Sequence, residues 1–459
     1  MITYQDYERA DNKTKWLQSA IMTYRNSPEY KQAVIEEEYM AGRNVEIMNV
    51  TRVIYNMAGL PEPDFTKTNT KIRNKLIHRL VTDRCSYSLG NGVSFTEKEE
   101  KDGRTVDPVK EMLGPKFDHR LKRAAYWALA NGTSFLYVHM GHKKQEWQYT
   151  LFKKSEFLAL YDEDTGALRG GVRFWSLDWG KRPITAVLYT EEGYTKYKTP
   201  PKKSSISALE LAEDLRPYIE TVEESEAYGE EITGAGEMTM LPIFPLYSGE
   251  NKDSALDNLK PIIDSYDMIL SGFCNDVTDI PQIYWLISGA MGMTDADKRQ
   301  LLDRLILQHM AVVDGENSHI QGFTQEVPYE AREHCMKQLK DQMYENYGGF
   351  DVHTIEAGAT NDHIDAGYWP MDEEADAFEY EIIEFVQQIL AMMGVEDTPQ
   401  FKRNRVSNQK EQTEMVVMAA PYLDEQTILE KIPFITVDEV QGIMQRRDAD
   451  DYSAFETGE

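Results

Sequence analysis

Cysteine is scarce in this chain of 459 residues. Cys85, Cys274 and Cys335 are the only three, and no C-x-x-C or Cys/His ligand spacing joins them. A disulfide framework and a zinc site are therefore not expected, and a reducing cytoplasm is. Basic charge is also short: 49 Lys and Arg stand against 78 Asp and Glu, a formal net charge of -29. A protein that holds nucleic acid by neutralising phosphates normally shows the opposite balance, so tight, sequence-independent binding of DNA over the whole surface is disfavoured. Loose passage of a duplex past a repelling wall is not. Long apolar runs are missing too. The longest, IPQIYWLISGAMGMT at 280–294, is shorter than the ~20 residues that cross a bilayer, contains Pro281 and is flanked by aspartates. The opening MITYQDYERADNKTKW has no basic stretch followed by an apolar core, so no secretory signal and no membrane partner are expected.

Hydrophobic residues at 41% and aromatics at 11% are enough to build cores, and the length allows two to four structural units. Residues 14–48 read as helical with a break at Ser27-Pro28. A second helix is expected to open near Asn69 and to carry Ile72, Leu76, Ile77, Leu80 and Val81. Gly90-Asn91-Gly92 then marks a turn before a strand at 93–95, and 97–109 reads as a polar loop. A third helix covers 117–130 and stops at Asn131-Gly132. From 134 to 199, short β-branched and aromatic runs separated by turn dipeptides read as a strand meander. Within it, Asp162–Gly166 lacks the ligand pattern and closing Glu of a calcium loop, and reads as a hairpin turn. Residues 211–237 are strongly acidic and read as an exposed insertion or flexible loop.

After 254 the pattern becomes helical. Leu256, Leu259, Ile262, Ile263, Tyr266, Ile269, Leu270 and Phe273 line one face, with Pro261 marking either the start of the helix or a bend. A rod of about 25 residues is roughly 37 Å long. Thr294 and Asp297 form a capping box ahead of Leu301, Leu302, Leu305 and Ile306, and 310–315 and 318–324 read as short strands. A second helix spans 329–347 and ends at Gly348-Gly349. The pattern predicts two antiparallel rods with a small mixed module at their tip. Residues 350–372 read as a strand and a Gly/Asn/Asp loop, followed by helices at 373–393, 408–422, 424–431 and 438–445 and a disordered acidic tail.

Catalytic signatures are absent. There is no P-loop, dinucleotide fingerprint, G-x-S-x-G or H-E-x-x-H, so no catalytic residue, cofactor or metal ligand is assigned. The one local group of ligand types is His353, Glu356, Asp362, His363 and Asp365. It supports an alternative reading as a metal-dependent hydrolase or nuclease. The competing account is a polar loop capping its own backbone. A non-viral helical scaffold is a third reading.

Three segments resemble one family. NTKIRNKLIHRLVTDRCSYSLGNGVSF resembles a helix ending in Tyr-x-x-Gly and a strand. AAYWALANGTSFLYVHM with EFLALYDEDTGALRGGVRFW is similar to a helix–Gly–strand pair and its meander. In PLYSGENKDSALDNLKPIIDSYDMILSGFCNDVTDIPQIYWLISG, Ile263-Asp264-Ser265-Tyr266-Asp267 and Ser271 stand where the family has its Ile-Asp-x-Tyr-Asp helix. The family is that of the portal (head–tail connector) proteins of tailed bacteriophages, in the siphophage branch of Gram-positive hosts. Where many relatives carry a Ser-Gly stretch after the second rod, this chain has Ala357-Gly358-Ala359-Thr360-Asn361-Asp362-His363.

The resemblance implies a mainly helical α+β portal fold assembled as a ring. Residues 1–253 would be the wing, 254–278 and 329–348 the stem helices, and 279–328 the clip. Residues 350–372 would be the tunnel loop, 373–445 the helical crown and 446–459 an acidic tail. It implies a non-enzymatic channel, about twelve subunits around an axis, at one vertex of a virion put together in the host bacterial cytoplasm. Double-stranded DNA would pass through it during packaging and ejection. Its partners would be the terminase large subunit, a head-completion or adaptor protein, and the major capsid and scaffolding proteins. DNA-channel candidates are Asn361, Asp362, His363, Lys260, Lys337 and Lys340; clip and partner-interface candidates are Tyr284, Trp285, Met291 and Met293. An acidic lining would leave no deep electrostatic trap for a sliding duplex, with a few lysine rings centring it.

Overall fold

The computed structural model describes residues 2–55, 60–65, 67–96, 98–101, 104–140, 146–179, 182–225, 229–236, 240–279, 284–288, 294, 296–297, 300, 319–323, 329–351, 353, 360–405, 409–432 and 443. Two compact units divide the chain. The first takes Met1–Ala41, Lys75–Leu259 and Tyr344–Glu459; the second takes Gly42–Asn74 and Lys260–Met343. Together they make an α+β fold.

In the first unit, period-two patterning builds the sheets. Phe157–Tyr161, Leu168–Trp175, Thr185–Thr190, Gly193–Lys198 and Glu210–Arg216 pair in sequence order as a five-stranded antiparallel sheet. Successive side chains point to opposite faces, so the Phe157–Tyr161, Leu168–Trp175 and Thr185–Thr190 strands each feed two cores. Leu158, Leu160, Val172, Phe174, Ala186 and Leu188 meet Leu17, Ala20, Ile21 and Tyr24 of the Lys13–Asn26 helix. The intervening Phe157, Val187 and Tyr189 meet Phe135, Phe152 and Ile243 of a three-stranded sheet. That sheet orders Ile243–Tyr247, Thr133–Met140 and Trp147–Lys153. Each fully buried apolar side chain contributes about 1.5–3 kcal/mol, which makes these two layers the main source of cohesion in the block. The Asp162 turn is a hairpin as expected, with Asp162 Oδ1 accepting from the amides of Asp164 and Thr165.

The helix breaks follow their punctuation. Ser27 ends the Lys13–Asn26 helix in extended backbone, and its side chain caps Pro28–Met40 by accepting from Tyr30 N–H at 3.2 Å. Phe117–Asn131 stops at Gly132, whose φ is +75°. This helix packs along Leu76–Leu89, with His78 Nδ1 and Tyr126 Oη 2.7 Å apart and Lys122 Nζ donating to Ser86 Oγ at 3.0 Å.

Four expectations are corrected. The second helix starts at Leu76 and not near Asn69, because the backbone of 70–74 is held extended by side chains of another helix, described below. Residues 97–109 are not a loop: Glu99–Lys101 and Arg104–Val106 form a hairpin, and Pro108–Leu113 is a helix capped by Asp107, which accepts from Lys110 N–H. The acidic 211–237 stretch is not a loose insertion. Glu210–Arg216 is the edge strand of the five-stranded sheet, and Ile219–Ser225 pairs with Gly229–Gly236. Residues 210–216 (ELAEDLR) carry no apolar/polar alternation, so the strand is not legible from the local pattern.

The fourth correction concerns 361–372. A single helix of 32 residues runs Asn361–Met392, so what reads as loop is its first three turns. Gly367 and Pro370 suggest breaks, yet both are accommodated. A Cβ at Gly367 would lie 2.5 Å from the Phe350 ring, so the glycine answers a close approach and does not mark a turn. Burial of Ile364, Tyr368, Met371, Ala375, Phe378 and Ile382 along one stripe outweighs the hydrogen bond that Pro370 cannot make.

In the second unit, Ala255–Asp279 is one continuous helix through Pro261, and Tyr329–Tyr347 is the second rod. Within that unit Asp276 pairs with Arg332 at 2.7 Å, and the rings of Phe273 and Tyr329 meet edge-on at 5.5 Å. Tyr284–Ser288 pairs antiparallel with His319–Phe323. The Thr294/Asp297 capping box forms, Thr294 N–H donating to Asp297 Oδ2 at 3.0 Å. In the first unit, helices follow at Gln409–Ala419 and Glu425–Lys431. The expected stripe from Leu301 to Ile306, the strand at 310–315, the turns of 438–445 other than residue 443, and the tail 446–459 lie outside the described residues.

Candidate functional site

The Asn361–Met392 helix carries the densest polar arrangement. Thr360 caps it, its side chain accepting from His363 N–H at 3.4 Å, and places Asn361, Asp362 and His363 in the first turn. Asp362 and His363 are exposed there, and a first-turn carboxylate suits the positive end of the helix dipole. Further along, Asp365, Asp372, Asp376 and Glu379 recur at intervals of seven, four and three, which gathers them on one face.

Two arginines clasp that face. Arg403 donates from Nε and Nη2 to Glu379 at 3.1 and 2.8 Å and from Nη1 to Asp372 at 2.9 Å, and it also bonds Asp376. Arg405 bonds Asp365 at 3.2 Å, grips both oxygens of Asp372 and donates from Nε to Tyr87 Oη at 2.7 Å. Tyr87 in turn donates to Asp372 at 2.6 Å and stacks on Tyr368 with ring centroids 5.5 Å apart. The strap that carries the arginines is fixed at its ends by backbone: Gln400–Phe401 pairs with Val93–Ser94, and Asn404 N–H donates to Tyr87 O at 2.8 Å. Partial burial opposes the charge on Asp372, but the Tyr87 hydroxyl and the guanidinium of Arg405 outweigh it and hold the carboxyl below its usual range. Tyr87 is pushed up, first by burial and then by its bond to Asp372.

A second arrangement lies in the other unit. Asp267, Ser271 and Asn275, four residues apart on one helix face, bond the backbone of an extended segment. Asn275 Oδ1 accepts from Thr70 N–H, Ser271 Oγ from Ile72 N–H and Asp267 Oδ1 from Asn74 N–H, at 2.7, 2.9 and 3.0 Å. Asp267 also accepts from the side chains of Asn44 and Asn74. Burial raises its pKa, and the hydrogen bonds offset part of the rise.

The other expected residues scatter. Lys260 is held between Glu46 at 2.9 Å and Asp264 at 2.8 Å. Lys337 is exposed and Lys340 half-buried on the second rod. Tyr284 and Trp285 lie in the Tyr284–Ser288 strand, while Met291 and Met293 lie outside the described residues. The proposed metal group is not assembled. Among the described residues no cluster of three or more His, Cys, Asp or Glu is placed to hold an ion; Asp365 is bound by Arg405, and Glu356 lies outside the described residues. Sequence reasoning missed Arg403, Arg405 and Asn275. The signal for the first two is an Arg-Asn-Arg triplet in a chain that has a heptad-spaced row of acids.

The described geometry contains clasps and ladders with no reaction centre among them, and the comparisons agree with a structural role. The family model described as phage portal protein, SPP1 Gp6-like, matches residues 21–452. The chain belongs to this portal family. It is 22% identical over 453 residues to the portal protein of Bacillus phage SPP1, covering 93% of this chain and 85% of that one. It is also 22% identical over 458 residues to the portal protein of Clostridium phage phiCD119, covering 90% and 97%. Among solved structures it is similar to a chain in the virion of a native gene transfer agent particle. There the TM-score is 0.42 at 10% identity, with 84% and 97% covered. A chain in the neck of that particle, computed with C12 symmetry, gives a TM-score of 0.41 at 9% identity, with 86% and 98% covered. Two of the residues that carry the portal resemblance in the sequence, Asp267 and Ser271, are two of the three rungs that bind the 70–74 backbone.

Proposed function

We infer that this chain is the subunit of a ring-shaped portal channel at one vertex of a phage capsid. The observation that carries the reading is the family match over 21–452. In it, double-stranded DNA is packaged inward and later ejected through an axial channel made by about twelve copies, an assembly closed by head-to-tail contacts. The Ala255–Asp279 and Tyr329–Tyr347 helices serve as the stem, 279–328 as the clip, 1–253 as the wing and the helices from 373 onward as the crown. The tunnel segment, including the first helical turn at Asn361, Asp362 and His363, faces DNA. Exposed Lys337 is the leading lysine for weak centring; half-buried Lys340 and Lys260, the latter paired to two carboxylates, come after it. Tyr284, Trp285, Met291 and Met293 meet neighbouring clips or the terminase large subunit, later replaced by a head-completion protein. The wing meets capsid and scaffolding proteins during assembly in the host cytoplasm.

The chain does no covalent chemistry in this reading, and ATP hydrolysis belongs to the terminase. The net charge of -29 supports a wall that a duplex slides past without being trapped. The metal-dependent hydrolase alternative is not favoured, since Asp365 is occupied by Arg405. Negative-stain electron microscopy with the mass in solution tests the proposal. Rings with a central hole are expected; a protein that stays monomeric or dimeric at high concentration overturns it.

A further inference from the structure

Two aromatic rings are left bare on the Asn361–Met392 helix. Trp369 and Tyr380 are 66% and 73% exposed, and neither has a ring or cation partner among the described residues. Other rings of the first unit are covered by bases: Arg84 lies over Tyr347 at 3.9 Å and Lys153 over Trp127 at 3.8 Å. Trp369, Glu373, Tyr380 and Glu384, at steps of four, seven and four, share the face turned away from buried Ala375 and Phe378. Glu373 and Glu384 are exposed and make no ion pair among the described residues. The neighbouring Glu374 and Asp376 are taken by Arg84 and Arg403. The open face is aromatic and acidic.

A matching face lies on another helix of the same unit. Lys116, Arg120 and Arg123, at steps of four and three, line the start of Phe117–Asn131. Lys116 and Arg123 are exposed and Arg120 half-buried, and none of the three makes an ion pair among the described residues. Asp118, the one acid within 116–123, pairs with Lys110 at 3.0 Å. Lys116 and Arg123 are seven positions apart, as are Glu373 and Tyr380, about 10.5 Å along either helix. Both helices pack on Leu76–Leu89, but from opposite sides. Lys122 of one bonds Ser86 and Glu374 of the other pairs with Arg84, two positions or about 200° around that helix.

We propose that the Trp369–Glu384 face packs on the Lys116–Arg120–Arg123 stripe of the adjacent copy of this chain. The inference rests on the ring reading above and names one of its contacts. A head-to-tail ring needs two different, complementary patches on every subunit, turned toward two different neighbours, and these helices supply them. Guanidinium groups then cover the bare indole and phenol rings while the remaining charge of the stripe meets Glu373 and Glu384. Trp, Tyr and Arg are the residues in which interface binding energy concentrates. DNA does not suit the first face, whose carboxylates repel phosphates.

The test uses three variants of the full chain: Trp369→Ala/Tyr380→Ala, Lys116→Ala/Arg120→Ala/Arg123→Ala, and all five substitutions together. Far-UV circular dichroism checks folding, and sedimentation velocity reads the protein concentration at which rings form. Wild type is expected to form rings, and each of the first two variants to need about tenfold more protein. The five-site variant should need no more than about the same tenfold, because it removes one contact from both of its ends. A loss equal to the product of the two, about a hundredfold, would assign the faces to separate partners and overturn the proposal. Normal assembly by either of the first two variants also overturns it. If the stripe variant then no longer retains a DNA duplex, the stripe belongs to nucleic acid. Cross-linking decides the matter if a variant fails to fold. His119→Cys/Ala377→Cys, both exposed and beside the contact but no part of it, is combined with Cys274→Ser/Cys335→Ser and treated with a short bismaleimide. Rings should give a covalent ladder beyond the dimer; rings that give none overturn the contact and leave the ring standing. Absence of rings from wild type overturns the ring reading, and this contact with it.

Discussion

Asn275 closes both hydrogen bonds of one distant backbone residue: its Oδ1 accepts from Thr70 N–H at 2.7 Å and its Nδ2 donates to Thr70 O at 3.2 Å. Ser271 does nearly the same for Ile72, and Asp267 accepts from Asn74. The match is geometric. Four residues of helix rise about 6 Å and two residues of extended chain about 6.6 Å, so three successive rungs stay in register.

Removing a rung leaves the backbone of exposed Thr70 without its side-chain partners. Asn275→Ala should destabilise the second unit by about 0.5–1.5 kcal/mol and abolish slow hydrogen exchange at the Thr70 amide. Exchange at Ile72, still held by Ser271, should change less. Unchanged protection at Thr70 in the variant would show that the ladder does not hold this segment.

Asp267 sets a pH dependence of unusual sign for a carboxylate. Burial raises its folded pKa above the ordinary aspartate value, despite bonds from Asn44 and Asn74, and Asp264 nearby pushes it the same way. The folded state therefore binds the proton more tightly than the unfolded one. Stability from this group is fully present below about pH 4 and declines as pH rises through the raised folded value. Asp267→Asn removes that titration. Urea melts at several pH values should show the variant gaining on wild type as pH rises from about 4, on top of a constant offset from the lost acceptor. A gap independent of pH would mean that Asp267 titrates normally.

Asp372 behaves in the ordinary direction. Burial opposes its charge, but Tyr87 and Arg405 prevail and lower its pKa, so its contribution is present above about pH 4 and is lost as pH falls through the lowered value. Arg405→Ala removes the bonds to Asp365, Asp372 and Tyr87 together and should cost about 1–3 kcal/mol, since the cluster is only partly buried. Arg405→Lys should recover little of this, because an ammonium cannot grip two oxygens and Tyr87 at once. Full recovery by lysine in thermal melts would show that charge alone holds the strap.

These two clusters mark the limit of what the sequence discloses. Period-two runs such as Phe157–Tyr161 and Thr185–Thr190 are legible because alternate residues feed two different cores, and the Ser27-Pro28 break because a cap and a fixed φ coincide. The helix from Asn361 is not legible, because Gly367 and Pro370 look like breakers until Phe350 and the buried stripe are seen beside them. Ile72 reads as helical by spacing, yet its amide is claimed from 199 residues away by Ser271. Local pattern reports local structure, and these errors come from partners that are remote in sequence. Two of the residues in the segments that resemble the portal family, Asp267 and Ser271, are among those remote partners.

A pair of glycines separates backbone strain from collision. Gly132 and Gly166 both sit at left-handed φ, +75° and +69°, which costs any other residue about 1–2 kcal/mol. Around Gly166 a Cβ would meet nothing within 4 Å, whereas at Gly132 it would lie 2.0 Å from the Lys252 carbonyl oxygen. Lys252 cannot yield easily, being itself at φ +59°, in the segment where Ser248 N–H donates to Gly132 O at 3.1 Å. Gly166→Ala should therefore cost about 1–2 kcal/mol, and Gly132→Ala about 2–5 kcal/mol, strain and overpacking together. Parallel chemical melts of the two variants check this. Equal losses would mean that the chain around Lys252 moves aside freely, and that the turn joining the Phe117–Asn131 helix to the Thr133–Met140 strand is not locked against it.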